Sequence, residues 1–140
     1  MIRLANANDI PAIKALMESE PGFWQDNWRN NVLEQAIKSA DGLAFVYERE
    51  TGIIGFACCH DLGFRAYLSE LIVSNKSKGQ GIGKQLVNHI ELILEARGCA
   101  TLIADVWKSA KSFYEHMGWH SPDVVLLRKK LKGQDQPTSR

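Results

Sequence analysis

The fold is decided by residues 66–98, which read AYLSELIVSNKSKGQGIGKQLVNHIELILEARG. The first eight positions are apolar and rich in strand-forming residues, which is typical of a buried strand. Residues 83–97 carry apolar side chains at helical spacing, and Gly98 supplies a C-terminal stop. Because residues 101–107 read as a further strand, we expect a β-α-β unit whose right-handed crossover makes its two strands parallel.

The flanking sequence predicts the rest of the sheet. Two apolar runs at 43–48 and 53–60 are joined by a short polar turn, which indicates an antiparallel hairpin. Further strands are predicted at 2–5 and 124–131, and further helices after a cap at Asn8 or Asp9, over 23–38, and over 109–118 with Ser109 as N-cap. The order β-α-α-β-β-β-α-β-α-β predicts a mixed α/β fold: a mostly antiparallel sheet of about six to seven strands with helices on both faces. We expect one domain over residues 1–132 and a polar tail over 133–140.

Composition excludes several classes of protein. The chain has 140 residues, 45% of them apolar, and a net charge of +1. This length suits one domain with its own core, and the balanced charge argues against a nucleic-acid binder. No apolar run approaches the ~20 residues of a membrane span, and the start lacks a signal-peptide pattern, so we expect a cytoplasmic protein. Three cysteines, with Cys58 and Cys59 adjacent, suit small core residues, and no metal-ligand spacing is present, so no metal is predicted.

The loop before the predicted helix carries the clearest functional signal. Gly79, Gly81 and Gly83 alternate between a strand and a helix N-terminus, where glycine lets the backbone turn tightly and lets a ligand approach closely. The first N–H groups of a helix have no internal partner and favour an anion. Three lysines add positive charge there: Lys76, Lys78 and Lys84. The pattern predicts pyrophosphate binding, with a purely structural turn as the alternative.

Two other phosphate-binding motifs do not fit this loop. A P-loop would need glycine at position 78 and Ser or Thr at position 85, where the chain has Lys78 and Gln85. The Rossmann fingerprint would need glycine at Lys84 and a strand order without a preceding hairpin. The glycine spacing therefore disfavours a nucleotide-binding protein.

The residues resemble the GNAT N-acetyltransferases over positions 2 to 131. Lys78-x-x-Gly81-x-Gly83 is similar to that family's acetyl-CoA-binding pattern, with Lys in place of Arg or Gln. The segment from Ala110 to Trp119 resembles its second signature, Ala-x-x-Phe-Tyr-Glu-x-x-Gly-Phe. One departure is Trp107, which stands where the family often has Asn. The resemblance implies an N-acetyltransferase that moves acetyl from acetyl-CoA to a primary amine by direct attack in a ternary complex.

The resemblance also implies roles for individual residues. Tyr114 is the candidate general acid, close to the thioester sulfur in the family, and packing of helix on sheet is the alternative for this side chain. The family pattern places the pantetheine along a bulged strand end near Val73 and the pyrophosphate on the glycine loop (residues 78–84). The implied cofactor contacts are Leu71, Ile72, Val73, Lys78, Gly79, Gln80, Gly81, Ile82, Gly83, Lys84, Ser109, Lys111, Phe113 and Tyr114.

Glu70 is the candidate general base. It is the only acidic residue in its strand, and a carboxylate in an apolar strand needs a reason because buried charge is costly. Many relatives use an acidic residue on this strand. The alternative is a solvated residue at the edge of the sheet. Simple alternation would put Glu70 on one face with Leu68 and Ile72, and this does not decide between a catalytic and a solvated Glu70.

The acceptor site is the least defined part. Trp24, Asp26 and Trp28 combine aromatic walls with a carboxylate, which suits a cationic amine, although packing of both tryptophans on the core is the favoured interpretation. His60 and Tyr67 at strand ends are further candidates, and His89 is expected at the surface. The partner would be a small-molecule or peptide amine, and homodimers are common among similar proteins. The rival hypothesis is a non-catalytic acetyl-CoA-binding module with the same fold.

Overall fold

A computed structural model describes residues 1–131. It divides into two compact units, Met1–Ala104 and Asp105–Arg140, and the predicted tail at 133–140 lies outside the described residues. The strands are β1 (Ile2–Leu4), β2 (Ala44–Arg49), β3 (Gly52–Asp61), β4 (Ala66–Val73) and β5 (Leu102–Ile103). The helices are α1 (Ile10–Ser19), α2 (Val32–Ala40), α3 (Ile82–Ala96) and α4 (Lys111–His116), of which α4 belongs to the second unit.

The sheet of the first unit confirms the mixed topology. Its strand order is β1-β2-β3-β4-β5, with antiparallel pairing up to β4 and parallel pairing of β4 with β5. The parallel pair is connected through α3, which is the predicted crossover. The β2–β3 hairpin turns at Gly52, whose φ of 120° is readily adopted only by glycine.

Helices cover both faces of this sheet. An added Cβ at Gly55 would meet Ile82 and Leu86 of α3, so this residue faces α3. Cys58 lies three positions further along β3 and therefore faces the other way. Its Sγ lies 3.8 Å from the backbone oxygen of Ala36 in α2. Residues of β3 thus alternate between an α3 face and an α2 face.

The start of α1 is fixed by a polar cluster. The predicted cap residue Asp9 does stand at the N-cap of α1, but its carboxylate does not cap that helix. It accepts the Asn6 N–H at 2.9 Å while the Asn6 side chain accepts the Asn8 N–H. Arg3 of β1 donates to both Asp9 oxygens at 2.8 Å, which lowers the pKa of this buried carboxyl and anchors the helix to the sheet.

The predicted helix at 23–38 is wrong in its first half. The structure has turns up to position 31 and α2 begins at Val32. This stretch contains Asp26, Asn27, Asn30 and Asn31. Asp and Asn disfavour a helix interior because their side chains are able to hydrogen-bond nearby backbone groups in other conformations. The spacing of apolar residues does not reveal that competition.

The predicted strand count is also too high, because the described chain has five strands. The strand predicted at 101–107 is reduced to β5, and residues 124–131 form none within the described part of the chain. The apolar residues at 124–127 are 65–86% exposed and run consecutively without the alternation of a half-buried strand. In the second unit, Ser109 lies inside a short 3-10 turn that precedes α4, so it is not the N-cap that was predicted.

Candidate functional site

The glycine loop has the backbone conformation that its sequence predicts. Gly79 and Gly81 have φ values of 81° and 79°, in the left-handed region that favours glycine. Gly81 is the N-cap of α3, so the helix begins one residue earlier than expected, and Gly83 lies buried in its first turn. Two of the three glycines therefore turn the chain, and the third is buried at the start of α3.

The N-terminus of α3 presents main-chain donors. The Gln85 N–H donates to the Gly81 carbonyl at 3.0 Å, which is the first hydrogen bond of the helix, and no side chain caps the end. The three N–H groups before it have no acceptor inside the helix. Lys84 is exposed beside them. A helix of 15 residues adds the favourable end of its dipole, so this position suits an anion.

Two loop side chains are held by other elements. The Lys78 Nζ donates to Glu20 Oε1 at 3.1 Å, at the end of α1. The Gln80 Oε1 accepts from Arg49 at 2.7 Å, at the end of β2. Of the three lysines in the predicted basic cluster, Lys78 is thus paired with a carboxylate.

Strands β4 and β5 separate beside this loop. They pair only at Ala66 and Tyr67, so in the described chain the remainder of β4 has no ladder on that side. The Ser74 N–H bonds to β3, at Ile54 O, and antiparallel pairs alternate in this respect. The N–H and C=O groups of Leu71 and Val73 therefore point away from β3, toward the gap.

A bulge in β4 determines the orientation of Glu70. Glu70 pairs with Cys58, but Leu68 pairs with Cys59, so Ser69 is an extra residue. Without it Glu70 would lie opposite Ala57 on the α3 face, and the bulge moves it to the α2 face. The predicted grouping with Leu68 is therefore wrong. The half-buried Glu70 shares a face with Cys58, whose pKa its charge raises in addition to the larger effect of burial.

His60 belongs to a hydrogen-bond network around the bulge. Its Nε2 lies 3.1 Å from Ser69 Oγ and its Nδ1 lies 3.1 Å from Ser39 Oγ. The Ser69 hydroxyl donates to the Cys58 carbonyl at 3.2 Å, which leaves Nε2 as the donor to Ser69 Oγ. Burial lowers the pKa of His60, and a hydrogen bond with the Ser39 backbone acts in the opposite direction.

Cys58 and Cys59 are core residues, as predicted. Cys58 and Cys59 are fully buried, and burial raises their pKa values to about 12 and about 11. Both are therefore thiols at neutral pH, whereas the nucleophilic form is the thiolate.

The aromatic residues between α1 and α2 form a small cluster. The Trp24 and Trp28 rings meet edge to face, with centroids 5.2 Å apart. The Lys14 ammonium lies 5.2 Å from the centroid of Trp24, so this ring already attracts a cation. Asp26 is exposed on the intervening turn.

Tyr114 lies in α4 of the second unit within an aromatic group. Its ring is 5.1 Å from Phe113 and 5.2 Å from Trp119, both edge to face, and it is half-buried. Lys111 is exposed on the same helix, and Gly118, with φ of 93°, follows the helix end. Trp107 precedes the 3-10 turn and is 39% exposed.

Sequence reasoning missed several residues that shape the site. Glu20 and Arg49 hold the glycine loop, and Ser69 forms the bulge. Only Ser69 gave a signal, as a polar residue inside an apolar strand. Among the described residues no group of three or more His, Cys, Asp or Glu could hold a metal, and no helix is long and apolar enough to span a membrane.

Comparison with known proteins identifies the family. A family model described as the acetyltransferase (GNAT) family matches residues 10–119. The [ribosomal protein bS18]-alanine N-acetyltransferase of Haemophilus ducreyi is 32% identical over 95 residues, covering 66% of this chain and 63% of that protein. The chain thus spans slightly less than two thirds of this relative.

Solved structures share the fold. The ribosomal-protein-S18-alanine N-acetyltransferase of Escherichia coli superposes with a TM-score of 0.68 at 26% identity, covering 84% of this chain and 76% of that one. The N-acetylglutamate synthase of Neisseria gonorrhoeae, solved with coenzyme A and N-acetyl-glutamate, gives a TM-score of 0.69 at 24% identity, over 83% of this chain and 27% of that one. The fold is therefore that of N-acetyltransferases. Since the family model covers most of its length, the chain belongs to the acetyltransferase (GNAT) family.

Proposed function

We propose that the protein is an N-acetyltransferase that moves the acetyl group of acetyl-CoA to a primary amine by direct attack in a ternary complex. The observation that carries this proposal is the glycine loop, where left-handed Gly79 and Gly81 lead into uncapped N–H groups of α3. Family membership supports acetyl-CoA as the donor. The pyrophosphate of CoA would accept hydrogen bonds from the first turn of α3.

The gap between β4 and β5 supports the position of the pantetheine arm. The amide groups of the pantetheine would pair with the main-chain groups of Leu71 and Val73, as an added strand pairs with a sheet edge. A main-chain N–H near Val73 would then polarise the thioester carbonyl. Such a donor acts on the negative charge that develops on oxygen, and loss of one typically slows turnover by about 10²–10³.

Glu70 and Tyr114 are proposed as base and acid. The amine nitrogen attacks the thioester carbon, a C–N bond forms, and the C–S bond breaks. Glu70 accepts the proton lost by the amine, directly or through water, and the Tyr114 hydroxyl protonates the leaving thiolate. The phenolic hydroxyl is the one proton donor that this side chain offers. Because Cys58 and Cys59 are buried and remain thiols, an acetyl-cysteine intermediate on either of them is disfavoured.

Of the two acceptor classes, a peptide with a free N-terminal amine is proposed in preference to a small molecule. Both alanine N-acetyltransferases named above act on a ribosomal protein, which favours peptides with a free N-terminal alanine as the first acceptors to test. Trp24, Asp26, Trp28 and Tyr67 stay candidate contacts with the acceptor. His60, with both ring nitrogens hydrogen-bonded, is better suited to positioning than to ligand contact.

The test is release of free thiol from acetyl-CoA across a panel of amines. The panel contains alanine-terminated peptides, free amino acids, polyamines and aminoglycosides. We expect amine-dependent release, reduced about 10²–10⁴-fold by Glu70→Gln or Tyr114→Phe with little change in CoA affinity. Equal turnover in either variant would remove that residue from the mechanism.

The rival from another class is a non-catalytic acetyl-CoA sensor. It would bind CoA and release no thiol with any amine in the panel. Stronger stabilisation by ATP than by CoA would instead support a nucleotide-binding protein and contradict the cofactor assignment.

A further inference from the structure

We propose that Glu20 is a positioning residue for the cofactor loop and acts through Lys78. The inference rests on the proposed function, because it concerns how the glycine loop (residues 78–84) is held to receive CoA. Glu20 and Lys78 lie 58 positions apart in sequence and meet at 3.1 Å. Glu20 lies outside the glycine loop and outside both sequence motifs that resemble the family.

The burial of Glu20 is the first observation. Its side chain is only 10% exposed, and a buried carboxylate is costly unless it has a cationic partner. Lys78 supplies that partner from a side chain that is 56% exposed. The carboxylate therefore depends on the lysine, and it fixes the lysine's position at the end of α1.

The backbone at Lys78 is the second observation. Lys78 has extended dihedral angles, φ −66° and ψ 152°, and the next residue, Gly79, is left-handed. A change of direction thus begins directly after the residue that Glu20 holds. Gln80, one residue further, is held on another side by Arg49 at 2.7 Å. Both side chains are engaged by neighbouring elements, and the main-chain donors of α3 are left for the ligand.

This arrangement makes a prediction opposite to that of simple electrostatics. If Lys78 were mainly a phosphate ligand, removal of the competing Glu20 carboxylate would free its charge and tighten CoA binding. If Glu20 positions the loop, its removal loosens the loop and weakens CoA binding. The sign of the change separates the two roles.

The experiment measures CoA affinity by isothermal titration calorimetry for wild type, Glu20→Gln and the control Glu18→Gln. Glu18 is exposed on the same helix, so the control removes an equal charge without touching the loop. We expect Glu20→Gln to weaken CoA binding about fivefold or more and Glu18→Gln to leave it unchanged. Equal or tighter binding by Glu20→Gln would overturn the proposal. If the wild type itself fails to bind CoA, the proposed function fails, and this inference with it.

If Glu20→Gln folds poorly, Glu20→Asp, which keeps the carboxylate but shortens the side chain by one carbon, replaces it in the same titration, and variants at Lys78 test the contact from its other end. Lys78→Met should weaken CoA binding, and Lys78→Arg, which retains the ion pair, should restore it. Circular dichroism melting of each variant without ligand monitors folding. In the double variant Glu20→Gln/Lys78→Met the two losses should not add, because both remove the same contact. Full additivity would contradict the proposal.

Discussion

The bulge at Ser69 permits a quantitative test of how the sheet orients Glu70. In Ser69→Ala, the hydroxyl loses its bond to the Cys58 carbonyl at 3.2 Å and its bond from His60 Nε2 at 3.1 Å. Each such bond contributes about 0.5–1.5 kcal/mol net, so the free energy of unfolding should fall by about 1–3 kcal/mol. For a domain of this size, that corresponds to a decrease in Tm of roughly 4–12 °C.

Urea unfolding followed by circular dichroism measures this change. The matched control is Ser39→Ala, which removes the hydroxyl on the other ring nitrogen of His60 but lies at an exposed position. The control should change stability by no more than about 0.5 kcal/mol. If both variants are equally stable, the bonds around the bulge do not hold it, and the argument that Ser69 sets the face of Glu70 fails.

Two further predictions concern stability elsewhere in the first unit. Gly55→Ala places a Cβ 3.2 Å from side-chain atoms of Ile82 and Leu86. This overpacking should lower the free energy of unfolding in urea by about 1–3 kcal/mol, and it should weaken CoA binding because the start of α3 shifts. Unchanged values in both assays would contradict that packing. Asp9→Asn removes a carboxyl whose pKa Arg3 lowers. A carboxyl whose pKa is lower in the folded protein stabilises the fold at pH values above its unfolded pKa of about 4, and this stabilisation is lost as the pH falls further. The variant should therefore unfold more easily than wild type at pH 7 and lose less stability on acidification. Parallel pH profiles for the two proteins would refute the role of Asp9.

Local patterns predicted the parts of the fold that depend on local physics. The crossover around α3 and the β2–β3 hairpin follow from periodicity, turn residues and helix stops, which act over a few residues. The predicted helix at 23–31 is wrong because apolar spacing does not include the tendency of Asp and Asn to form turns. The predicted strand at 124–131 is wrong because strand formation requires a pairing partner, which a single segment does not reveal.

The site was predictable only where the backbone itself carries the chemistry. The glycines at 79 and 81 predict a tight turn, and both adopt left-handed backbone angles there. The resemblance implies a bulge near Val73, whereas the structure has it at Ser69, and that position could not be foreseen because one extra residue changes the face of Glu70 without changing the composition of the strand. The contact of Glu20 with Lys78 joins residues 58 positions apart, so it depends on the completed fold. The catalytic roles of Glu70 and Tyr114 stay predictions.

The central claim is that the glycine loop binds the pyrophosphate of CoA, and one comparison at Gly81 tests it most directly. The space beside Gly81 is open, since an added Cβ would approach only Gln85, at 3.8 Å. Asn and Asp are equal in size and both tolerate its left-handed backbone, so Gly81→Asn and Gly81→Asp differ mainly in charge. The account predicts that saturating CoA raises the Tm of the wild type by roughly 10 °C, that Gly81→Asn keeps part of this gain, and that Gly81→Asp abolishes it. No gain in the wild type, or an equal gain in both variants, would contradict it.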